Sequence, residues 1–241
     1  MDSTLERRLF DRRLFSAAAI LFPLIVLAGF GRTYYLKVLA GTPPLPSALV
    51  HVHGLLMTMW VVLFIAQVRF ISAKRIRLHQ QLGYAGIGLA SLIILTGVPV
   101  ALRSAKYGSA STPPGIPPLA FMLVPMFDLL MFALFFGGAI YFRRKPAAHK
   151  SLMLLTALNF LPPAVARIPS VSLQALGPLW FFGVPTLLAL ATIELSRRRD
   201  GRVNRVLAWG TGMLVASYVV RLALMMTAPW MAVAGWLTGF V

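Results

Sequence analysis

Four histidines, His51, His53, His79 and His149, stand at the ends of apolar stretches in a chain otherwise poor in reactive side chains. A neutral imidazole can ligate a metal or a haem iron, and an imidazole near its pKa can carry a proton. An ionisable side chain within or at the edge of a membrane span is a functional candidate by default. The chain has no cysteine, which excludes disulfides, thiolate metal sites and cysteine-held iron–sulfur clusters. It also lacks a phosphate-binding GxxxxGK[ST] loop, a GxGxxG fingerprint, an HExxH pair and a serine nucleophile elbow.

The histidines fall into two groups. His53 leads a stripe, His53, Met57, Trp60, Phe64 and Gln67, which shares one helical face at about 100° per residue. Such a stripe suits the wall of a haem or quinone pocket, with imidazole as axial ligand, rings against the macrocycle and the amide as donor. It equally suits core packing, where methionine and aromatic residues commonly sit. His51, two residues earlier, lies on nearly the opposite face and reads as an interfacial loop residue.

His79 and His149 belong to an internal repeat. Each follows a basic loop and has leucine three residues on, in His79-Gln80-Gln81-Leu82 and His149-Lys150-Ser151-Leu152. A third copy carries asparagine instead, Asn204-Arg205-Val206-Leu207. At a helix start, free backbone N–H groups and the positive dipole end favour the neutral, metal-ligating imidazole. The alternatives are a shared cofactor site for His79 and His149, or two histidines that cap helices and face headgroups.

A second polar constellation lies inside the apolar runs. A bare Asp128 would be costly there, and Arg221 and Arg167 are its candidate partners, as a structural ion pair, a proton relay or a clamp for cofactor propionates. Asn159 and Pro162-Pro163 predict a kinked helix with freed carbonyls, tolerated where it is buried or lines a cavity. Glu194 beside Arg197 and Arg198 reads as an interfacial ion pair. Trp180, Trp209, Trp230 and Trp236 read as interfacial belt residues.

The elements that must position these groups are membrane helices. The 241 residues are 59% hydrophobic and 12% charged, with mean hydropathy +0.80. The pattern predicts an all-α, single-domain bundle with spans near 14–31, 51–71, 80–101, 117–142, 150–168, 172–195 and 205–226. The apolar tail 228–241 is too short to cross and reads as interfacial or re-entrant. Residues 1–13 read as a charged, helix-friendly segment before an uncleaved first span. Gly86 and Ala90 form a small-xxx-small pair suited to close helix packing.

The net charge of +17 is confined to short clusters between spans, which argues for topology signals and against nucleic-acid binding. One side gathers Arg7, Arg8, Arg12, Arg13, Lys74, Arg75, Arg77, Arg143, Arg144, Lys145, Lys150, Arg197, Arg198, Arg199, Arg202 and Arg205, with Arg69 near it. The other holds Arg32, Lys37, Arg103, Lys106 and Arg167. The positive-inside rule then places the N-terminus in the cytoplasm and the C-terminus outside. His79 and His149 fall on the inner side, His51 and His53 on the outer, so no single metal gathers all four.

In combination, His51-Val52-His53-Gly54, Trp60, Phe64, Gln67, His79-Gln80-Gln81-Leu82-Gly83 and His149-Lys150-Ser151-Leu152-Met153 resemble a family of bacterial multi-pass membrane proteins of no established activity. The resemblance covers residues from about 50 to the end. Where that family's pattern carries a histidine, this chain has Asn204. The layout of histidines at span ends is also similar to the di-haem b-type membrane cytochromes. That likeness implies a haem-binding or redox-active protein of the bacterial inner membrane, passing electrons to or from quinone. His79 and His149 would be axial ligands of haem b near the cytoplasmic face, and His53 would contribute to an outer site, with Met122 or Met126 as a second ligand. The alternative is a non-enzymatic transporter, sensor or accessory subunit built around Asp128, the arginines and the kinked fifth span.

Overall fold

The computed structural model describes residues 3–43, 45–109 and 112–241, with side chains from Leu9 onward. Arg7 and Arg8, counted above among the basic residues, lie outside the described side chains. The described chain is helical: α1 (Ser3–Phe30), continued by a π turn at Gly31–Tyr35, α2 (Ala48–Ser72), α3 (Ile76–Tyr107), α4 (Pro118–Phe121), α5 (Leu123–Tyr141), α6 (Pro146–Asn159), α7 (Leu161–Val165), α8 (Val171–Gln174), α9 (Pro178–Phe181), α10 (Gly183–Asp200), α11 (Arg205–Leu224) and α12 (Ala228–Thr238). α4, α6 and α9 each begin on a proline, whose missing N–H costs nothing in a first turn.

Six stretches are long and apolar enough to cross a membrane: Leu9–Tyr35, Ala48–Ser72, Ile76–Tyr107, Pro118–Tyr141, Pro178–Asp200 and Arg205–Leu224. The protein is thus a multi-pass helical membrane bundle. The expected fifth span, 150–168, is absent from that set because it breaks into α6 and α7 at Phe160. Pro162 and Pro163 cannot donate to the preceding turn, so the kink expected from them falls where α6 ends. The pair nevertheless covers the height of α1. Lys150 binds Asp11 at one end, and the Arg167 guanidinium lies 4.8 Å from the Phe30 ring at the other. The nineteen residue steps from Asp11 to Phe30 rise about 28 Å, close to a hydrocarbon core.

The sixth span corrects the expected 172–195. Its first residues form the short turns α8 and α9, interrupted at Gly177, where φ is +54°, and the long helix runs to Asp200. Arginine side chains at its end can reach out of the apolar layer, so the helix continues through Arg197–Arg199. The tail 228–241 folds as α12 and docks Ala234 against Ala101, Leu102, Ala105 and Met122. At eleven residues α12 does not cross.

The core centres on aromatic contacts. Trp60 meets Phe132 and Phe136 edge-on at 4.9 and 5.3 Å between centroids, and Phe22 meets Phe64 at 5.5 Å. One approach is set by backbone alone. A Cβ on Gly29 would lie 2.0 Å from the Ala164 carbonyl oxygen, so only glycine lets α1 press onto α7. Gly86 is buried against Leu63 of α2, so the small pair on α3 serves packing within the bundle. Trp209 and Trp236 are exposed as a belt residue would be. Trp180 and Trp230 instead turn their N–H groups inward, to Val165 O at 3.0 Å and Leu119 O at 3.1 Å.

Candidate functional site

At the basic end, α3 and α6 start in the same way. His79 and His149 each lie four residues past the capping position, occupied by Arg75 and Lys145. Neither imidazole caps its helix, which corrects the capping alternative. The two rings instead meet edge-on, 6.2 Å between centroids and 85° between planes. His149 Nδ1–H donates to the Ala139 carbonyl of α5 at 2.8 Å. That bond fixes the tautomer and leaves Nε2 with its lone pair. His79 Nδ1 is buried with no partner. Gln67 of the stripe donates to the His79 carbonyl at 3.2 Å, and its Oε1 is also buried and unpartnered.

The third repeat copy differs in position. Asn204 is itself the cap of α11: its Oδ1 accepts from Leu207 N at 3.2 Å, and its Nδ2 donates to Ser151 Oγ at 2.9 Å. It stands beside the second copy but four positions earlier in its helix than the histidines in theirs, so the sequence likeness is not a structural repeat.

At the far end, His53 Nδ1 lies 2.9 Å from Thr96 Oγ1. The Thr96 hydroxyl donates to Leu92 O at 2.8 Å, so the imidazole supplies the proton and keeps its Nε2 lone pair. Its Cε1 packs at Gly97, where an added Cβ would lie 3.1 Å away. Below it the stripe points into the bundle: Met57 and Gln67 are half-buried, Trp60 and Phe64 buried, and the space before Trp60 is filled by Phe132 and Phe136. Met122 and Met126 pack against α12. His51 is exposed beside Tyr34, at a hollow of about 310 Å³ lined also by Lys37, Val38, Thr42 and Leu45.

The intramembrane polar residues resolve into one cluster. Arg221, with no exposed surface, donates from Nη1 to Asp128 Oδ1 at 2.5 Å and to Val124 O at 3.3 Å. Its Nε donates to Ser217 O at 3.1 Å and its Nη2 to Ser217 Oγ at 3.0 Å. The rings of Phe127, Phe182 and Tyr218 surround the guanidinium at 5.2–5.5 Å. Asn159, at the α6–α7 break, donates to Asp128 O at 2.8 Å; its Oδ1 and the Tyr218 hydroxyl are buried without partners. Of the two expected arginines, Arg221 is the partner. Arg167 belongs to the turn after α7 and donates to Pro163 O at 2.6 Å.

No protein-family model, curated protein or solved structure matches this chain. Its chemistry is therefore read from the site itself. Among the described residues no three or more His, Asp or Glu side chains converge as ligands of one ion. A protein-only zinc site takes three or four ligands, whereas haem brings its own in-plane nitrogens and asks only for axial ones. The ring centroids of His79 and His149 lie 6.2 Å apart, so the two imidazoles are near enough to serve one such group.

Sequence reasoning missed the Ala139 carbonyl, which no sequence signal marks, and Ser217 beneath Arg221. It also missed Asp11, which binds Lys150 and Arg199. An acidic residue set inside a run of arginines was the available signal for that contact.

Proposed function

We propose that this is a haem-binding, redox-active protein of a bacterial cytoplasmic membrane, with its basic end inside, its C-terminus outside and α6–α7 as a broken seventh crossing. The observation that carries the reading is the juxtaposition of His79 and His149, one imidazole oriented by Ala139 and the other holding a buried nitrogen without a partner. Haem b held there would supply one-electron chemistry. His79 and His149 would hold it, through Nε2 of His149 and a ring nitrogen of His79. Gln67 Oε1 is available to accept from a ring N–H or a bound group. Arg77, Arg143, Arg144 and Lys145 on the same rim are suited to carboxylates such as propionates. Quinone is the electron partner that a centre at a span end would meet in the bilayer. His53 is a ligand-ready imidazole at the outer end; no second histidine stands beside it.

The test is an optical spectrum of the protein from haem-supplied cells, oxidised and then reduced with dithionite. A Soret band that shifts on reduction, lost in His79→Ala and in His149→Ala and kept in His53→Ala, is the expected result. A spectrum with only the aromatic band, together with metal analysis that finds no iron, overturns the reading.

A second reading, a transporter, sensor or subunit, is favoured by one observation: the Asp128–Arg221 pair sits at the α6–α7 break beside two unpartnered polar atoms. Proton flux into liposomes that disappears in Asp128→Asn, with no haem spectrum, would favour it.

A further inference from the structure

Three helices meet at the basic end in a way that neither the histidine pair nor the buried ion pair uses. Asp11 of α1 accepts from Lys150 of α6 at 2.5 Å and from Arg199 of α10 at 2.6 Å. Arg199 also binds Asp200 and lies 4.6 Å from the Phe10 ring. The two carboxylates are thereby engaged by two cations. Around them Arg12, Arg13, Arg198, Arg202 and Arg205 are all exposed, and of these only Arg198 has an acidic partner among the described residues, sharing Glu194 with Arg197. The junction therefore presents an excess of guanidinium groups at the level where headgroups lie.

Directly below, the same three helices leave a shallow apolar groove. Ala18, Phe22 and Ile25 of α1, Leu154 and Leu158 of α6, and Leu188 of α10 form its walls. It exists because Ala18 and Ala157 are too small to close the space between α1 and α6. Helix rise puts Ala18 about 10 Å and Ile25 about 21 Å along α1 from Asp11, and Leu154 about 6 Å from Lys150. That range runs from the headgroup layer into one leaflet's half of the roughly 30 Å hydrocarbon core.

We propose that this junction binds one anionic phospholipid, its phosphate against Arg12 and Arg202 and part of one acyl chain in the α1–α6–α10 groove. Charge selects the headgroup, since basic pockets between spans favour anionic lipids. The aligned groove selects a lipid over a free anion. The inference stands apart from the redox reading and survives its failure.

The experiment uses the full chain in neutral detergent and reads bound lipid by native mass spectrometry. The probes are long-chain phosphatidylglycerol, phosphatidylcholine with the same chains, phosphatidylglycerol with six-carbon chains, and inorganic phosphate. Long-chain phosphatidylglycerol should be retained at least tenfold more tightly than the other three. Arg12→Gln with Arg202→Gln should weaken it about thirtyfold, from roughly two surface charges' worth of attraction. Ala18→Phe, which fills the groove, should lower retention of the long-chain lipid towards that of the short-chain one. Equal retention of the two long-chain headgroups overturns the proposal, as does full retention in the double arginine variant. Short-chain lipid or phosphate binding as tightly as the long-chain lipid overturns the groove assignment. The chain-length comparison needs no substitution, so it decides even where Ala18→Phe fails to fold.

Discussion

The two polar regions of the bundle differ in charge, and the fold treats them accordingly. Near the far end, Arg221 and Asp128 match each other's charge, and Ser217, Val124 and three aromatic rings take up the rest of the guanidinium. Near the basic end, His79 Nδ1 and Gln67 Oε1 are buried with nothing to bond. A full charge cannot stay unmatched in a low dielectric, so the ion pair is completed within the protein, while the neutral Asn159 Oδ1 and Tyr218 hydroxyl beside it stay without partners. A neutral imidazole, amide or hydroxyl can stay without a partner at a smaller cost. The difference separates charges that the fold itself must match from neutral groups that it can leave open.

The comparison is broken most directly at Asp128. Asp128→Ala leaves Arg221 charged and buried, and removing one partner of such a pair costs about 3–5 kcal/mol. Replacing both, Asp128→Leu with Arg221→Met, should recover most of that loss, because a well-packed apolar pair of similar volume is often no less stable. Reversible unfolding in mixed micelles checks both. A single variant as stable as the parent would mean that the cluster does not hold the fold.

The next effect sharpens the same contrast through the two helices, α6 and α7, that meet beside Asn159. Gly29→Ala should cost about 1–3 kcal/mol by overpacking, since its Cβ would meet the backbone oxygen of Ala164, which cannot rotate away. Gly210→Ala should cost less, because the nearest atom there is the end of the Leu155 side chain, at 2.1 Å. Both are read by the same unfolding measurement, and the reverse order would show that α7 is more easily displaced than α6. A smaller effect is expected at the basic end. Asn204→Ala loses the cap of α11 and should cost about 1 kcal/mol, while Asn204→Asp keeps an acceptor for Leu207 N and should cost less.

How much of this was legible in the sequence follows from what each feature depends on. Spans were legible because twenty apolar residues in a row have few other fates. The kink between α6 and α7 was legible because proline acts locally. The end of the sixth span was not, since a helix can carry arginines past the apolar layer when their stems reach back, and pattern alone does not mark where that stops. At the sites, Asp128 had two arginines in reach, and only packing chose Arg221 over Arg167. The pairing of His79 with His149 was visible as a repeat because both lie at one helical position. The same repeat misplaced Asn204, since spacing to leucine does not distinguish a cap from a first turn. The Ala139 carbonyl that orients His149 carries no side-chain signal and could emerge only from the fold.

The smallest stability effect is the most telling one. His79→Ala should change unfolding free energy by less than about 1 kcal/mol, because Nδ1 makes no hydrogen bond and its removal deletes a buried unsatisfied group. His149→Ala should cost about 1 kcal/mol more, for the lost bond to Ala139 and the carbonyl left behind. Both should nevertheless abolish the same bound centre. Two variants alike in function and unlike in stability would mark the pair as a ligand site on a fold that does not need it. If instead His79→Ala destabilised the protein as much as Asp128→Ala, and the parent protein bound no haem, the histidine pair would be a packing contact of the same kind as the far cluster. The contrast between the two ends would then disappear.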